Sequence, residues 1–80
     1  MKYSVDYLYS FINEKENEVD RYLVSFYNEK EELKEIEMDL VTNDNGAVSI
    51  EINEYESDEL NKEELNLFYY IIDQWTINNI

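Results

Sequence analysis

Several residue types on which catalytic and metal sites depend are missing from this 80-residue chain. It has no Cys, no His and no Pro, and only one Gly. Without Cys there is no disulfide, no thiolate metal site and no sign of an oxidising compartment. Without His, the chain lacks the commonest metal ligand and excludes Ser-His-Asp and Cys-His nucleophile systems. A single Gly excludes a glycine-rich phosphate loop. We therefore expect no enzyme, no metal and no cofactor.

Long apolar runs are also missing. No segment approaches the ~20 apolar residues of a membrane span, and the first residues lack a basic segment followed by an apolar run. We expect a cytoplasmic protein that has no membrane partner.

Negative charge is the outlying feature of the composition. Twenty Asp and Glu against six Lys and Arg give a formal charge of −14. Such a surface repels nucleic acid and anionic lipid, and it attracts basic proteins. Leu, Ile, Val and Phe still make up about 29% of the chain, above the ~20% below which charged sequences stay disordered. Residues 1–80 should therefore form a single acidic domain that binds a positively charged partner.

The N-terminal segment has a helical pattern. Ser4 can cap a helix, and Asp6 suits the positive end of its dipole. One apolar stripe follows the helical period, and it consists of Val5, Leu8, Phe11 and Ile12. We expect a helix to about Asn13, then a polar connection over residues 13–18.

Residues 19–28 allow two interpretations. Tyr22, Val24 and Phe26 alternate as in a strand, but apolar residues at 19, 22, 23, 26 and 27 also fit a helical face. Aromatic and β-branched residues favour the strand. Residues 29–32 would then form a turn.

A β-hairpin is indicated between residues 35 and 53. Apolar residues alternate with polar ones on both sides of Asn43-Asp44-Asn45-Gly46. Asn45-Gly46 suits the positive φ angles of a tight turn. A final helix follows, in which Asn61 and Glu64 are spaced as a capping box and Leu65, Phe68, Ile72 and Trp75 form a stripe.

These elements predict an α+β domain of order α-β-β-β-α, a three-stranded antiparallel meander flanked by two helices. If residues 19–28 are helical, the order becomes α-α-β-β-α. We find no internal repeat in the sequence.

The acid is concentrated in the second half of the chain. Residues 35–64 contain 11 Asp or Glu and one Lys. Alternate side chains of a strand share one face about 6.6 to 6.8 Å apart, roughly two phosphate steps along a duplex. A row on one strand, extended by neighbouring acids, could imitate a phosphate backbone. The candidate partner-binding residues are Glu35, Glu37, Asp39, Asp44, Glu51, Glu54, Glu56, Asp58 and Glu59, with Tyr55 as an aromatic anchor.

Calcium binding is not indicated by the turn around Gly46. If Gly46 takes the sixth position of an EF-hand loop, the first and twelfth positions are Val41 and Ile52. Neither side chain supplies the required carboxylate.

The predicted elements include the turn at Asn43-Asp44-Asn45-Gly46 and the acidic step Glu54-Tyr55-Glu56-Ser57-Asp58, which leads into an aromatic-rich helix. This element order resembles that of small acidic phage proteins that inhibit host nucleases. Among these it is most similar to the type II-A anti-CRISPR inhibitors of Cas9. The resemblance implies an inhibitor whose carboxylates engage arginines that otherwise contact guanines. The expected partner is thus the basic groove of Cas9 or another nuclease. A non-mimetic acidic adaptor or antitoxin-like module that binds a basic protein remains the alternative, and the oligomeric state is left open.

Overall fold

The computed structural model describes residues 2–80, which form one antiparallel sheet followed by two helices. The sheet order is β1-β2-β3-β4, so each strand pairs with its neighbours in the chain. The elements are β1 (Tyr3–Ile12), β2 (Glu18–Tyr27), β3 (Leu33–Thr42), β4 (Val48–Ile52), α1 (Glu54–Ser57) and α2 (Lys62–Asn79). Neither helix of this part of the chain is both long and apolar enough to cross a membrane.

The α+β class is confirmed, but both predicted element orders are wrong because the first segment is a strand. The strand interpretation of residues 19–28 is confirmed by β2, and the hairpin by β3 and β4. The final helix is confirmed, including its capping box between Asn61 and Glu64. The observed order is β-β-β-β-α-α, with four strands where three were expected.

A β-bulge interrupts the strand alternation of β1. The register of β1 against β2 shifts between Tyr7 and Tyr9, which leaves Leu8 as the extra residue. Such a residue moves the side-chain alternation by one position. Tyr7 on one side of the bulge and Ser10 on the other therefore share a face, although they are three residues apart. That spacing imitates a helical period.

The three turns of the sheet form a repeat that was missed in the sequence. Strands of ten residues alternate with turns of five, so an Asn begins each turn every 15 residues, at Asn13, Asn28 and Asn43. Each Asn side chain accepts hydrogen bonds from the backbone N–H groups two and four residues later, at 2.9 to 3.0 Å. These bonds satisfy the turn backbone with local partners.

The turn at Gly46 has a positive φ at one residue and not, as the sequence predicted, at both residues of Asn45-Gly46. Gly46 has a φ of 81°, whereas Asn45 is not among the residues of positive φ. Gly46 N–H donates to Asn43 O at 3.0 Å, as in a type I turn closed by a left-handed residue. Glu16 and Glu31 occupy the same place in the other turns, with φ values of 63° and 60°.

One face of the sheet packs against α2. The buried core joins Val24, Phe26, Ile36 and Met38 of the sheet to the helix residues Phe68, Ile71 and Ile72. Tyr22 extends it by an edge-to-face contact with Trp75, with ring centroids 4.9 Å apart. The apolar residues that predicted the final helix therefore pack on the even-numbered residues of β2 and β3.

Glu64 fastens the start of α2 to the turn between β2 and β3. Its carboxylate accepts hydrogen bonds from Asn61 N–H at 3.0 Å and from the Asn28 side chain at 2.8 Å, and Lys34 Nζ lies 3.7 Å away. The Asn61 bond, followed by the Asn28 bond, lowers the pKa of Glu64. This buried carboxylate is therefore ionised and satisfied.

Candidate protein-binding surface

The predicted acidic row lies on the face of the sheet opposite α2. Ile36 and Met38 are buried under the helix. Because side chains alternate along a strand, Glu35, Glu37 and Asp39 project from the other face. We call this side of the sheet the open face. The expectation that the three carboxylates share a face is therefore confirmed.

Arg21, the only arginine of the chain, forms ion pairs with two of these carboxylates. Its Nε and one terminal nitrogen donate to Asp39 at 2.8 and 2.9 Å, and its Nε lies 3.2 Å from a Glu37 oxygen. The bidentate hydrogen bond to Asp39 raises the pKa of Arg21 further above its usual value. Asp39 is also only 19% exposed at its side chain. Asp39 therefore stabilises the sheet and is not free for a partner.

Two aromatic residues of β1, Tyr9 and Phe11, also contact the guanidinium group of Arg21. The guanidinium carbon lies 5.0 Å from the centroid of Phe11 and 5.7 Å from that of Tyr9, and a terminal nitrogen donates to the Tyr9 hydroxyl at 3.0 Å. One side chain on β2 thus links β1 to β3. Sequence reasoning missed this role, and its only signal was a lone Arg among five Lys.

The short helix α1 covers the part of β3 that β4 does not reach. β4 pairs with residues 38–42 only. Beyond it, Asn53 N–H donates to Glu37 O at 3.3 Å, and the Glu56 carboxylate accepts from Glu37 N–H at 3.2 Å. Glu56 is therefore engaged in closing a sheet edge, which leaves it less available to a partner.

Five of the predicted carboxylates are exposed and unengaged beside these residues. Within residues 2–80 they form no salt bridge and their side chains accept no hydrogen bond. Glu51 projects from the open face directly opposite Asp39, and Glu54 lines a common groove with it. We call the set the acidic edge: Glu35, Glu51, Glu54, Asp58 and Glu59.

The two remaining candidates occupy different positions. Asp44 is exposed in the turn between β3 and β4, at the far end of that hairpin from α1. Tyr55 projects from α1 and is 88% exposed, the highest value among the large hydrophobic residues of the described range 2–80. An aromatic ring so placed beside the acidic edge is available to a partner.

The segment that carries most of the acidic edge has no positive charge. No Lys or Arg occurs between residues 35 and 61. Arg21 is paired with Asp39 and Glu37, and Lys34, which precedes Glu35, lies 3.7 Å from the Glu64 carboxylate. Within residues 2–80, no group of three or more His, Cys, Asp or Glu is arranged to hold a metal ion. The arrangement presents preformed negative charge to a cationic surface.

Comparisons with protein-family models, with curated proteins and with solved structures found no match for this chain.

Proposed function

We propose that this chain is a DNA-mimicking protein inhibitor that blocks the nucleic-acid-binding groove of a host enzyme in the cytosol. The observation that carries the proposal is the acidic edge, whose carboxylates are exposed, unpaired and anchored to strands and a capped helix. A groove lined with Lys and Arg would meet negative charges that are already ordered. Because the chain lacks His and Cys, we infer binding without catalysis.

The structure changes which residues the proposal uses. The original row of Glu35, Glu37 and Asp39 is shortened by Arg21, which engages the last two. The proposed array instead runs from Glu35 across α1 to Glu51. The leading helix of the resemblance to Cas9 inhibitors is a strand in this chain, so only the turn at residues 43–46 and the acidic step at residues 54–58 favour Cas9-type nucleases, in which arginines read the short DNA signal.

A non-mimetic adaptor or antitoxin-like module is the second candidate. The Arg21 ion pair supports it, because a cation within the row departs from the uniform charge of a phosphate backbone. The exposed Tyr55 supports it as well, since an aromatic anchor has no counterpart in a backbone mimic. The two functions differ in one measurable property, which is competition with DNA.

Charge reversal with a matched control tests the proposal. Glu35, Glu51 and Glu54 are changed together to Lys, and in a second variant Glu14, Glu16 and Glu18 are changed to Lys. Both sets are exposed and both variants change the net charge equally. Displacement of a labelled DNA duplex is then measured on purified Cas9 and other DNA-binding enzymes.

We expect the wild type and the second variant to displace DNA, and the first variant to lose displacement by at least about 100-fold, since three charge contacts of about 1 kcal/mol each are reversed. Equal loss in both variants would reduce the effect to general acidity. Binding of an enzyme without loss of its DNA would favour the adaptor. If the wild type displaces no DNA even at low salt, mimicry is refuted.

A further inference from the structure

The outer edge of β4 has free backbone hydrogen-bonding groups. β4 ends the sheet, and no strand of residues 2–80 pairs with its outer side. Asn53 N–H donates to Glu37 O and Asn43 N–H donates to Ala47 O. Because inward and outward groups alternate along an antiparallel strand, the N–H and C=O groups of Val48, Ile50 and Ile52 point away from β3.

A groove runs beside this edge and has two chemically different sides. Its volume is about 530 Å³, and it is lined by Ile50, Ile52, Tyr69, Glu51, Glu54 and Ser57. Ile50 and Ile52 face α2 and are half-buried, and Tyr69 of α2 is 48% exposed beside them. Glu51 lies on the open face. A strand laid along β4 would therefore meet apolar groups on one face and a carboxylate on the other.

The opposite edge of the sheet is less suited to the same role. β1 is longer than β4, but its bulge at Leu8 interrupts the regular spacing of its backbone groups. Its ten residues carry a single charge, Asp6. β4 also carries one charged residue, Glu51, but its edge is uninterrupted and Glu54 of α1 lines the same groove. These two carboxylates specify the chemistry of the occupant.

We propose that β4 accepts an extended segment of a protein partner as a fifth strand, in which basic residues alternate with apolar ones. The basic side chains lie beside Glu51 on the open face, and the apolar side chains cover Ile50 and Tyr69. Main-chain hydrogen bonds supply affinity, and the alternating side chains supply selectivity. The inference rests on the proposed function in one respect, which is that the acidic edge is the contact surface.

Two synthetic peptides of equal composition test the inference on the full chain. One has four Arg-Val repeats, and the other has four Arg followed by four Val, with both peptides blocked at their ends. Binding is measured by fluorescence anisotropy at 0.15 M salt, and amide hydrogen exchange is followed by NMR. We expect the alternating peptide to bind about ten-fold more tightly, a difference of about 1.4 kcal/mol. We also expect it to slow exchange at Ile50 and Ile52, whose N–H groups have no partner in the sheet.

A backbone variant separates strand addition from charge attraction. Val48→Pro removes an outward N–H without touching the bonds to β3, and Val48→Thr keeps that N–H with a side chain of similar shape. We expect the Pro variant to lose about ten-fold in affinity for the alternating peptide and the Thr variant to bind as the wild type does. Should the Pro variant fail to fold, the exchange measurement on the wild type decides the question.

Equal affinity for the two peptides, with unchanged exchange at Ile50 and Ile52, would overturn strand addition. Slowed exchange confined to β1 would overturn it too. Either result leaves DNA displacement, and so the proposed function, intact. Conversely, an alternating peptide that binds β4 in a chain that never displaces DNA would refute mimicry and keep the inference.

Discussion

Replacing Glu16 and Glu31 with Gly should stabilise the protein. Both residues have a positive φ, which costs a residue with a Cβ about 1 to 2 kcal/mol. Gly removes that cost, but its greater conformational freedom in the unfolded chain lowers the free energy of unfolding by about 0.4 to 1 kcal/mol. The expected net gain is therefore about 0.5 to 1 kcal/mol at each turn.

The two gains should add. The turns lie at opposite ends of the ten-residue strand β2, about 33 Å apart, and mutations so far apart act independently. The double variant should gain about 1 to 2 kcal/mol. For a chain of about 80 residues each kcal/mol raises the Tm by about 6 °C, so the expected rise is about 6 to 12 °C.

Urea unfolding and thermal melts measure the effect, with Glu14→Gly as the control. Glu14 belongs to the first turn and its loss removes the same charge, but it is not among the residues of positive φ. The reverse change, Gly46→Ala, should destabilise by about 0.5 to 1 kcal/mol through the backbone alone, because a Cβ at Gly46 has nothing within 4 Å. If Glu14→Gly stabilises as much as Glu16→Gly, relief of charge repulsion explains the gain and the argument from φ is refuted.

Arg21→Ala should lower the free energy of unfolding by about 1 to 2 kcal/mol in urea titrations, because it leaves Asp39 half-buried and unpaired; Arg21→Lys should not restore it, since Lys cannot form the bidentate bond. A full rescue by Lys would contradict this. Glu64→Gln should cost about 1 kcal/mol at pH 7. Because the folded pKa of Glu64 is lowered, its contribution is present above the unfolded value of about 4.3 and is lost as pH falls through the folded value. The two proteins should therefore converge in stability in acid, and a difference that grows in acid would contradict the assignment. Finally, the Tm should rise between low salt and ~0.5 M salt as the repulsion of 14 net charges is screened, and a flat curve would show that repulsion is unimportant.

Local patterns predicted most of the fold, and failed where two patterns overlapped. Alternation over β2, β3 and β4 identified those strands because alternate apolar residues, such as Phe26, Met38 and Ile50, pack toward α2. In β1, Val5, Leu8, Phe11 and Ile12 matched a helical stripe, and the bulge at Leu8 interrupts the alternation that would have indicated a strand. The 15-residue repeat is visible in the sequence only between the first two turns, where residues 13–16 and 28–31 are both Asn-Glu-Lys-Glu. The third turn keeps only the initial Asn of that sequence and has Gly at the left-handed position.

The sequence predicted where the candidate carboxylates lie, but not which of them are free to contact a partner. Alternation was sufficient to place Glu35, Glu37 and Asp39 on one face. It could not show that Arg21 lies directly opposite Asp39, because that depends on the register of β2 against β3. Likewise, the bond between Glu56 and the backbone of Glu37 depends on where β4 ends.

The order of the elements, in which α2 follows all four strands, has a consequence for folding. Each strand pairs with its neighbour in sequence, so the hairpins can form one after another as the chain is synthesised. The layer that shields Phe26 and Met38 from water emerges only after the whole sheet. A nascent or truncated chain that ends before Lys62 would display an apolar sheet surface, and it would be a substrate for chaperones or a seed for aggregation until the helix closes over it.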